Sequence, residues 1–226
     1  MTSSTPGAES VVDLLLVGAG GTCADVLAII ESLNAEAMRF NCIGLLDDDV
    51  SLHGGHRHGL PVLGPLAAAK GLSGMLVDCL GSPASYGPRE ALLRDRGLAI
   101  ERFQTLVAPT ACVASTCRIG SGCIVYPGVV LMADVCLGAH VTILANTVLN
   151  HEVEVGDFTI LTSGVNVSGR VRIGRACYVG AGSSLIQNVT VGDGAMVGLG
   201  SAVIRDVPAG GVVAGNPAKP IRQRRA

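Results

Sequence analysis

From Val107 onward every sixth residue is aliphatic: Val107, Val113, Ile119, Val125, Leu131, Leu137, Ile143, Leu149, Val155, Leu161, Val167, Ile173, Val179, Leu185, Val191, Val197 and Val203 follow one another without a gap. A period of six is neither the 3.6 of an amphipathic helix nor the simple alternation of a half-buried strand. Over it runs a slower beat of eighteen, in which Gly120, Gly138, Gly156, Gly174 and Gly192 each follow one of these aliphatics. Six-residue sides grouped in threes predict a parallel β-helix of triangular section, each side sending one aliphatic inward and stacked coils standing about 4.8 Å apart. The position two before each aliphatic is small or modest in size, as at Ala111, Cys117, Cys123, Val129, Val135, Val141 and Cys177. The glycines are expected to turn the corners, where a positive φ costs a residue without Cβ little.

The preceding stretch has a different rhythm. Val11 to Val17 reads as a buried strand, Gly18-Ala19-Gly20-Gly21 as a turn, and Ala24 to Leu33 as a helix with apolar residues at helical spacing. A second strand, Cys42 to Leu46, ends in Asp47-Asp48-Asp49; then come a short helix near Pro65 to Lys70, a strand from Met75 to Leu80 and a helix from Pro83 to about Arg96. Such alternation predicts a parallel sheet covered by helices. The chain therefore divides into a flexible start at 1–10, an α/β domain at 11–103, an all-β coil at 104–208 and a C-terminal segment at 209–226.

Composition narrows the partners. Sixteen basic against eighteen acidic side chains leave a net charge of −2, which offers no field for nucleic acid or an anionic membrane surface. The apolar run after the polar start is too short to span a bilayer, and the start has no basic region of a signal peptide. Eight cysteines without a CxxC pair, several of them in phase with the repeat, read as reduced packing thiols of a cytoplasmic protein.

The hexapeptide array, together with Val17-Gly18-Ala19-Gly20-Gly21, Leu46-Asp47-Asp48, Gly59-Leu60-Pro61-Val62-Leu63-Gly64, Asn150-His151-Glu152 and Gly215-Asn216-Pro217-Ala218-Lys219, resembles the hexapeptide-repeat acyltransferases. More narrowly it is similar to bacterial sugar acetyltransferases that place a Rossmann-like domain before the coil, the group of sialic-acid O-acetyltransferases and nucleotide-aminosugar N-acetyltransferases. The resemblance implies a left-handed coil, acetyl-CoA as cosubstrate, a UDP-, dTDP- or GDP-linked sugar as acceptor, and a homotrimer whose neighbouring coils flank the pantetheine arm.

His151 is the leading catalytic candidate. It lies two steps beyond inward-facing Leu149, at a corner where its side chain should leave the coil, and an imidazole titrating near neutrality can take the proton of an attacking amine or hydroxyl. Glu152 is placed to fix its tautomer, and the pair matches the family's His-acid dyad. Asn150 stands where relatives commonly carry an acid, and Ile160 where many carry a second histidine, so substrate contacts are expected to differ. By resemblance, Gly169, Gly180, Ala181, Gly198 and Gly200 allow close approach of acetyl-CoA, a backbone N–H near Gly169 polarises the thioester, and Pro217, Lys219 and Arg222, with Arg224 and Arg225 beyond, lie towards the CoA phosphates.

In the first half, the Gly18, Gly20 and Gly21 turn follows a strand and opens a helix, so its amides can face a phosphate; Asp47 or Asp48 can reach a ribose or base edge. By resemblance this pocket holds the nucleotide of a nucleotide-sugar, not a redox cofactor, and Thr22 sits where relatives often have histidine. His140 reads as solvent-facing or structural. His53, His56 and His58 sit in a Gly-rich stretch and read as a solvated loop in preference to a zinc site. The leading expectation is thus an N-acetyltransferase with His151 as general base; a sugar O-acetyltransferase and a non-catalytic nucleotide-binding scaffold are the alternatives. A γ-type carbonic anhydrase needs three histidines, and the array holds His140 and His151 alone.

Overall fold

The computed structural model describes residues 11–82 and 86–223. The expected flexible start, the Pro83 beginning of the second helix, Arg224, Arg225 and the Arg222 side chain lie outside the described residues. The first half is a five-stranded sheet built from β1 (Val12–Val17), β2 (Phe40–Leu46), β3 (His56–Arg57), β4 (Leu60–Gly64) and β5 (Met75–Asp78), in the order β3-β4-β2-β1-β5. All neighbours are parallel except the β3–β4 hairpin. Leu14, Leu15, Leu16 and Val17 are completely buried, because β1 is an interior strand, paired with β2 on one edge and β5 on the other, and is covered on both faces.

Helix α1 (Gly21–Asn34) begins three residues earlier than its apolar spacing suggests, directly after the glycine turn, and buries Cys23, Val26, Ile29 and Ile30. The segment expected as a helix after Pro65 is a 3-10 turn over Leu66–Gly71. Strand β5 ends at Asp78, short of the expected Leu80, because the Asp78 carboxylate accepts the Leu80 N–H at 3.0 Å and takes over from the ladder. Helix α2 (Arg89–Asp95) follows Pro88, a residue suited to a helix start.

The second half is the triangular coil. Its three faces are ladders of two-residue strands with partners eighteen apart, such as Leu131↔Leu149, Leu137↔Val155 and Ile143↔Leu161. One face, running from Leu106–Val107 through Thr142–Ile143 to Met196–Val197, docks on the N-terminal half, meeting its first helix and the Tyr86 and Arg89 side chains; the second runs from Cys112–Val113 to Ala202–Val203; the third, from Arg118–Ile119 to Thr190–Val191, carries charged side chains outward. From Val125 to Val203 every member of the six-residue series is buried, whereas Val107, Val113 and Ile119 in the first coil are only half-buried. Gly211–Ala214 continues the docked face by pairing with Met196–Val197, and Lys219–Gln223 folds back antiparallel on it. One hydrophobic cluster runs from Leu14 in β1 through α1 into the coil as far as Val213.

The glycine ladder works differently from expectation. Positive φ falls instead on a separate column, at 122, 128, 134 and every sixth residue to 200, occupied by glycine at some turns and by Asp134, His140, Asn146, Glu152, Phe158, Arg170, Ala176 and Asn188 at others. The eighteen-spaced glycines keep negative φ and serve close approach: a Cβ on Gly156 would stand 2.6 Å from the Arg175 backbone nitrogen of the next coil. The second inward slot also has a polar use. Cys123, Thr147, Thr159, Cys177 and Ser183 each donate a thiol or hydroxyl hydrogen to the carbonyl fifteen residues on, at 2.8–3.2 Å. All eight cysteines are free thiols.

Candidate active site

The corner between the second and third faces carries His151. The strand Val148–Leu149 sends Leu149 inward, Asn150 makes the bend, and His151 and Glu152 leave the coil with side chains 52% and 53% exposed. Asn150 anchors the bend: its backbone N–H and its side-chain amide both donate to the Val167 carbonyl at 2.9 Å, so its amide is committed to the coil. Glu152 adopts the left-handed conformation, φ 59°, which folds its carboxylate back towards the ring. His151 Nδ1 lies 3.2 Å from Glu152 Oε1. With Nδ1–H donated to that carboxylate, Nε2 keeps its lone pair and points away from the acid.

Gly169 is the residue one coil further on. A Cβ there would stand 2.4 Å from His151 Nε2 and 2.5 Å from Cε1, so the imidazole rests directly over this glycine. The Gly169 carbonyl accepts from Asn188 N–H, and the Gly169 N–H makes no backbone hydrogen bond among the described residues. The same edge of the coil exposes Met132, Ile186 and Ile204, in the eighteen-residue column that contains Asn150. Their signal was present in the sequence as apolar residues one step out of the inward phase. On the other side of His151, Arg118, Asp134, Glu152, Glu154, Arg170 and Arg172 line an open charged groove of about 420 Å³.

The other expected acyl-donor residues lie elsewhere on the chain. Gly180, Ala181, Gly198 and Gly200 gather at the corner between the docked and second faces, joined by Gly200 N–H to Ala181 O at 2.8 Å. Within one chain the whole second face separates that corner from His151. Pro217 and Lys219 line a largely apolar groove of about 320 Å³ with Val203, Ile204 and Arg205 at the end of the coil.

The glycine turn of the first half is built as expected, and its carboxylates hold it. Gly18 has φ 101°, and Ala19 N–H donates to Asp47 Oδ2 at 2.8 Å. Gly20 caps α1 without a side-chain bond and Gly21 opens the helix, leaving backbone donors at its N-terminus. Asp48 is engaged by Leu66 N–H at 3.0 Å and by Arg96 Nε at 2.7 Å.

One histidine reading changes, and another narrows to one of its two alternatives. The segment expected as a solvated loop contains the edge strand β3, and two of its rings make contacts within the first half: His53 Nε2 lies 2.7 Å from Asp47 O just after β2, and His58 Nε2 reaches the glycine turn, 3.2 Å from both Ala19 O and Gly20 O. Among the described residues no group of three or more His, Cys, Asp or Glu side chains is placed to hold a metal ion. His140, expected as solvent-facing or structural, is 1% exposed and structural. It stacks on Phe158 at 4.6 Å, meets the edge of Phe103 at 4.6 Å, and points Nδ1 at Asp78 Oδ2 from 3.5 Å. Arg89, 1% exposed, lies 3.5 Å from the same carboxylate oxygen and donates to the carbonyls of Leu80 and His140 and to Thr142 Oγ1. This buried Asp78–Arg89–His140 cluster joins the sheet to the coil.

A parallel sheet with a glycine turn, docked on a hexapeptide coil that presents an acid-supported histidine at a corner, defines a recognisable class of fold. Solved structures of that class match nearly the whole chain. The acetyltransferase domain of PglB from Neisseria gonorrhoeae FA1090 in complex with acetyl coenzyme A is 27% identical, with a TM-score of 0.79 over 94% of this chain and 100% of that one. PerB from Caulobacter crescentus in complex with CoA and GDP-perosamine is 26% identical, with a TM-score of 0.77 over 95% and 99%. A histidine-to-alanine mutant of GDP-perosamine N-acetyl transferase from Caulobacter crescentus, also with CoA and GDP-perosamine, is 25% identical, with a TM-score of 0.79 over 96% and 100%. No protein-family model and no curated protein matches the chain.

Proposed function

We propose that the protein is an acetyl-CoA-dependent N-acetyltransferase acting on the amino group of a nucleotide-linked deoxyaminosugar. The observation that carries this reading is the exposed His151 imidazole, oriented by Glu152 at 3.2 Å and resting over Gly169. The likeness at 25–27% identity to acetyltransferases solved with acetyl-CoA, CoA and GDP-perosamine supports it. The acceptor amine attacks the thioester carbonyl while Nε2 of His151 takes its proton; Glu152 holds the ring and balances the imidazolium that forms. The tetrahedral intermediate places negative charge on the former carbonyl oxygen, which the Gly169 N–H meets as donor. Collapse expels the CoA thiolate, and the His151 proton returns to it.

The Rossmann-like sheet holds the nucleotide at the Gly18–Gly21 turn, with Asp47 and His58 keeping that turn in shape. Acetyl-CoA lies between coils of a homotrimer, where the His151 corner of one chain faces the Gly180–Gly200 corner of the next. Both corners border the second face, so two chains supply what one cannot. Pro217, Lys219 and Arg222 lie towards the CoA phosphates.

The test is thiol release from acetyl-CoA with a panel of UDP-, dTDP- and GDP-linked amino sugars, alongside light scattering. Turnover of at least one aminosugar by a trimer is expected. A folded trimer silent on the whole panel overturns the reading, acetylation of hydroxyls alone replaces it with O-acetyl transfer, and an active monomer overturns the shared site.

A further inference from the structure

A small cavity opens beside the glycine turn, between the first turns of α1 and the docked face of the coil. Its volume is about 80 Å³, and its polar lining comes from Thr22 and Asp25 on α1, Asp78 at the end of β5, and Tyr126, Thr142 and Thr162 on the coil. Leu80, Gly81, Leu144, Ile160 and the ring of Tyr178 complete the wall. Each ordered water needs about 10–15 Å³ on a comparable measure, so the space suits one monosaccharide ring and not a nucleoside diphosphate.

Most polar atoms of this wall are already committed. Asp78 is held by Arg89 and Leu80 N–H, Thr142 Oγ1 receives Arg89 Nη1, and Thr162 Oγ1 donates to Val179 O at 2.7 Å. Tyr126 is the buried exception. It is 5% exposed, and its hydroxyl has no partner among the described residues. A buried phenol is ordinarily paired. Burial first, and the charge of Asp25 second, push its pKa up, so the group stays a donor at any physiological pH. Asp25, exposed at the rim, is the complementary acceptor.

The cavity's position adds direction. Thr22 directly follows the Gly18–Gly21 turn, so a ligand whose phosphates sit on that turn carries its next group into this space. An aromatic and aliphatic wall with the buried Tyr126 phenol, the Thr22 hydroxyl and the Asp25 carboxylate matches a pyranose, which offers C–H faces and hydroxyls together. We infer that this cleft seats the hexose of the nucleotide-linked acceptor and that Tyr126 determines which hexoses are accepted, its Oη–H donating to a ring substituent.

The inference rests on the nucleotide-aminosugar reading above, and the experiment separates the two. Tyr126→Phe keeps the ring and removes the donor. With the best acceptor of the UDP-, dTDP- and GDP-aminosugar panel, its acceptor KM rises about tenfold, the KM for acetyl-CoA stays at the wild-type value, and calorimetric binding of the matching nucleoside diphosphate alone is unchanged. A wild-type acceptor KM in Tyr126→Phe, or a parallel weakening of nucleoside diphosphate binding, overturns the inference and leaves the enzymatic reading standing. Wild-type protein that turns over no acceptor overturns both. If Tyr126→Phe fails to fold, Thr22→Val on the opposite wall is measured in its place, with the same split between acceptor and acetyl-CoA expected and the same outcomes decisive.

Discussion

Two neighbouring residues concentrate the chemistry, and each makes a separate prediction. His151→Ala removes the proton acceptor while leaving the inward ladder untouched, because the ring lies outside the coil. It is expected to lower kcat by about 10² to 10⁴ with the oligomer intact by light scattering. An unchanged rate would assign the proton to another group. Gly169→Ala tests the stacking instead. The new methyl would meet Nε2 at 2.4 Å and must push the imidazole off its seat, so kcat is expected to fall at least about tenfold with circular dichroism unchanged. Exposure of His151 was legible in the six-residue phase, since a residue two steps past an inward aliphatic leaves the coil. Its contact with Gly169 was legible only as an eighteen-residue spacing, because sequence separation tells which residues stack and not which way a ring leans. The contacts of His53 with the Asp47 carbonyl and of His58 with the glycine turn had no such signal, as they depend on a hairpin folding back beside β2.

At the scale of a single coil, glycine plays two roles that substitution separates with opposite signs. Gly156 has negative φ and no room, so Gly156→Ala forces a Cβ to 2.6 Å from backbone and is expected to destabilise by about 1–3 kcal/mol. Ala176 has φ 48° in the left-handed column, so Ala176→Gly relieves strain and is expected to stabilise by about 1 kcal/mol. Denaturant midpoints measure both, and equal signs would refute the division. The sequence marked the positions of the first role, since the eighteen-spaced glycines are unbroken, but not the role itself, because a corner glycine reads as a positive-φ turn until the backbone of the next coil is seen against it. It concealed the second, because Phe158, Arg170 and Glu152 occupy the left-handed column and none advertises that conformation. The inward ladder was read correctly from Val125 to Val203, and its polar second slot was not, because a thiol or hydroxyl looks merely small until its carbonyl partner is known.

Across the whole molecule, the sheet and coil share two apolar clusters and one buried charge network. Arg89 is the hub, with Asp78, Thr142 and two carbonyls around it and Phe158 beneath at 5.7 Å. Arg89→Ala leaves Asp78 buried without its cation and is expected to cost about 3–5 kcal/mol, seen as separate melting of sheet and coil by calorimetry. A single unshifted transition would deny the network its linking role. Burial also pushes the thiols of Cys123 and Cys177 up to about 11 from 9.0. The folded chain then holds protons that an unfolded chain releases, so this stabilisation is complete below about pH 9 and is lost as pH rises through about 11. The thermal midpoint is expected to fall across that window, and less steeply once both cysteines are replaced by alanine.

The triangular section also sets which changes of length the molecule tolerates. Because partners stack eighteen residues apart, adding or removing a full circuit ahead of Asn150 lengthens or shortens the tube while His151 keeps its compass bearing relative to the sheet. An insertion of a single side would swing every later residue by a third of a revolution, carrying the imidazole around to another flank. Natural variation in the length of such a tube is therefore confined to whole circuits wherever the bearing of its histidine matters.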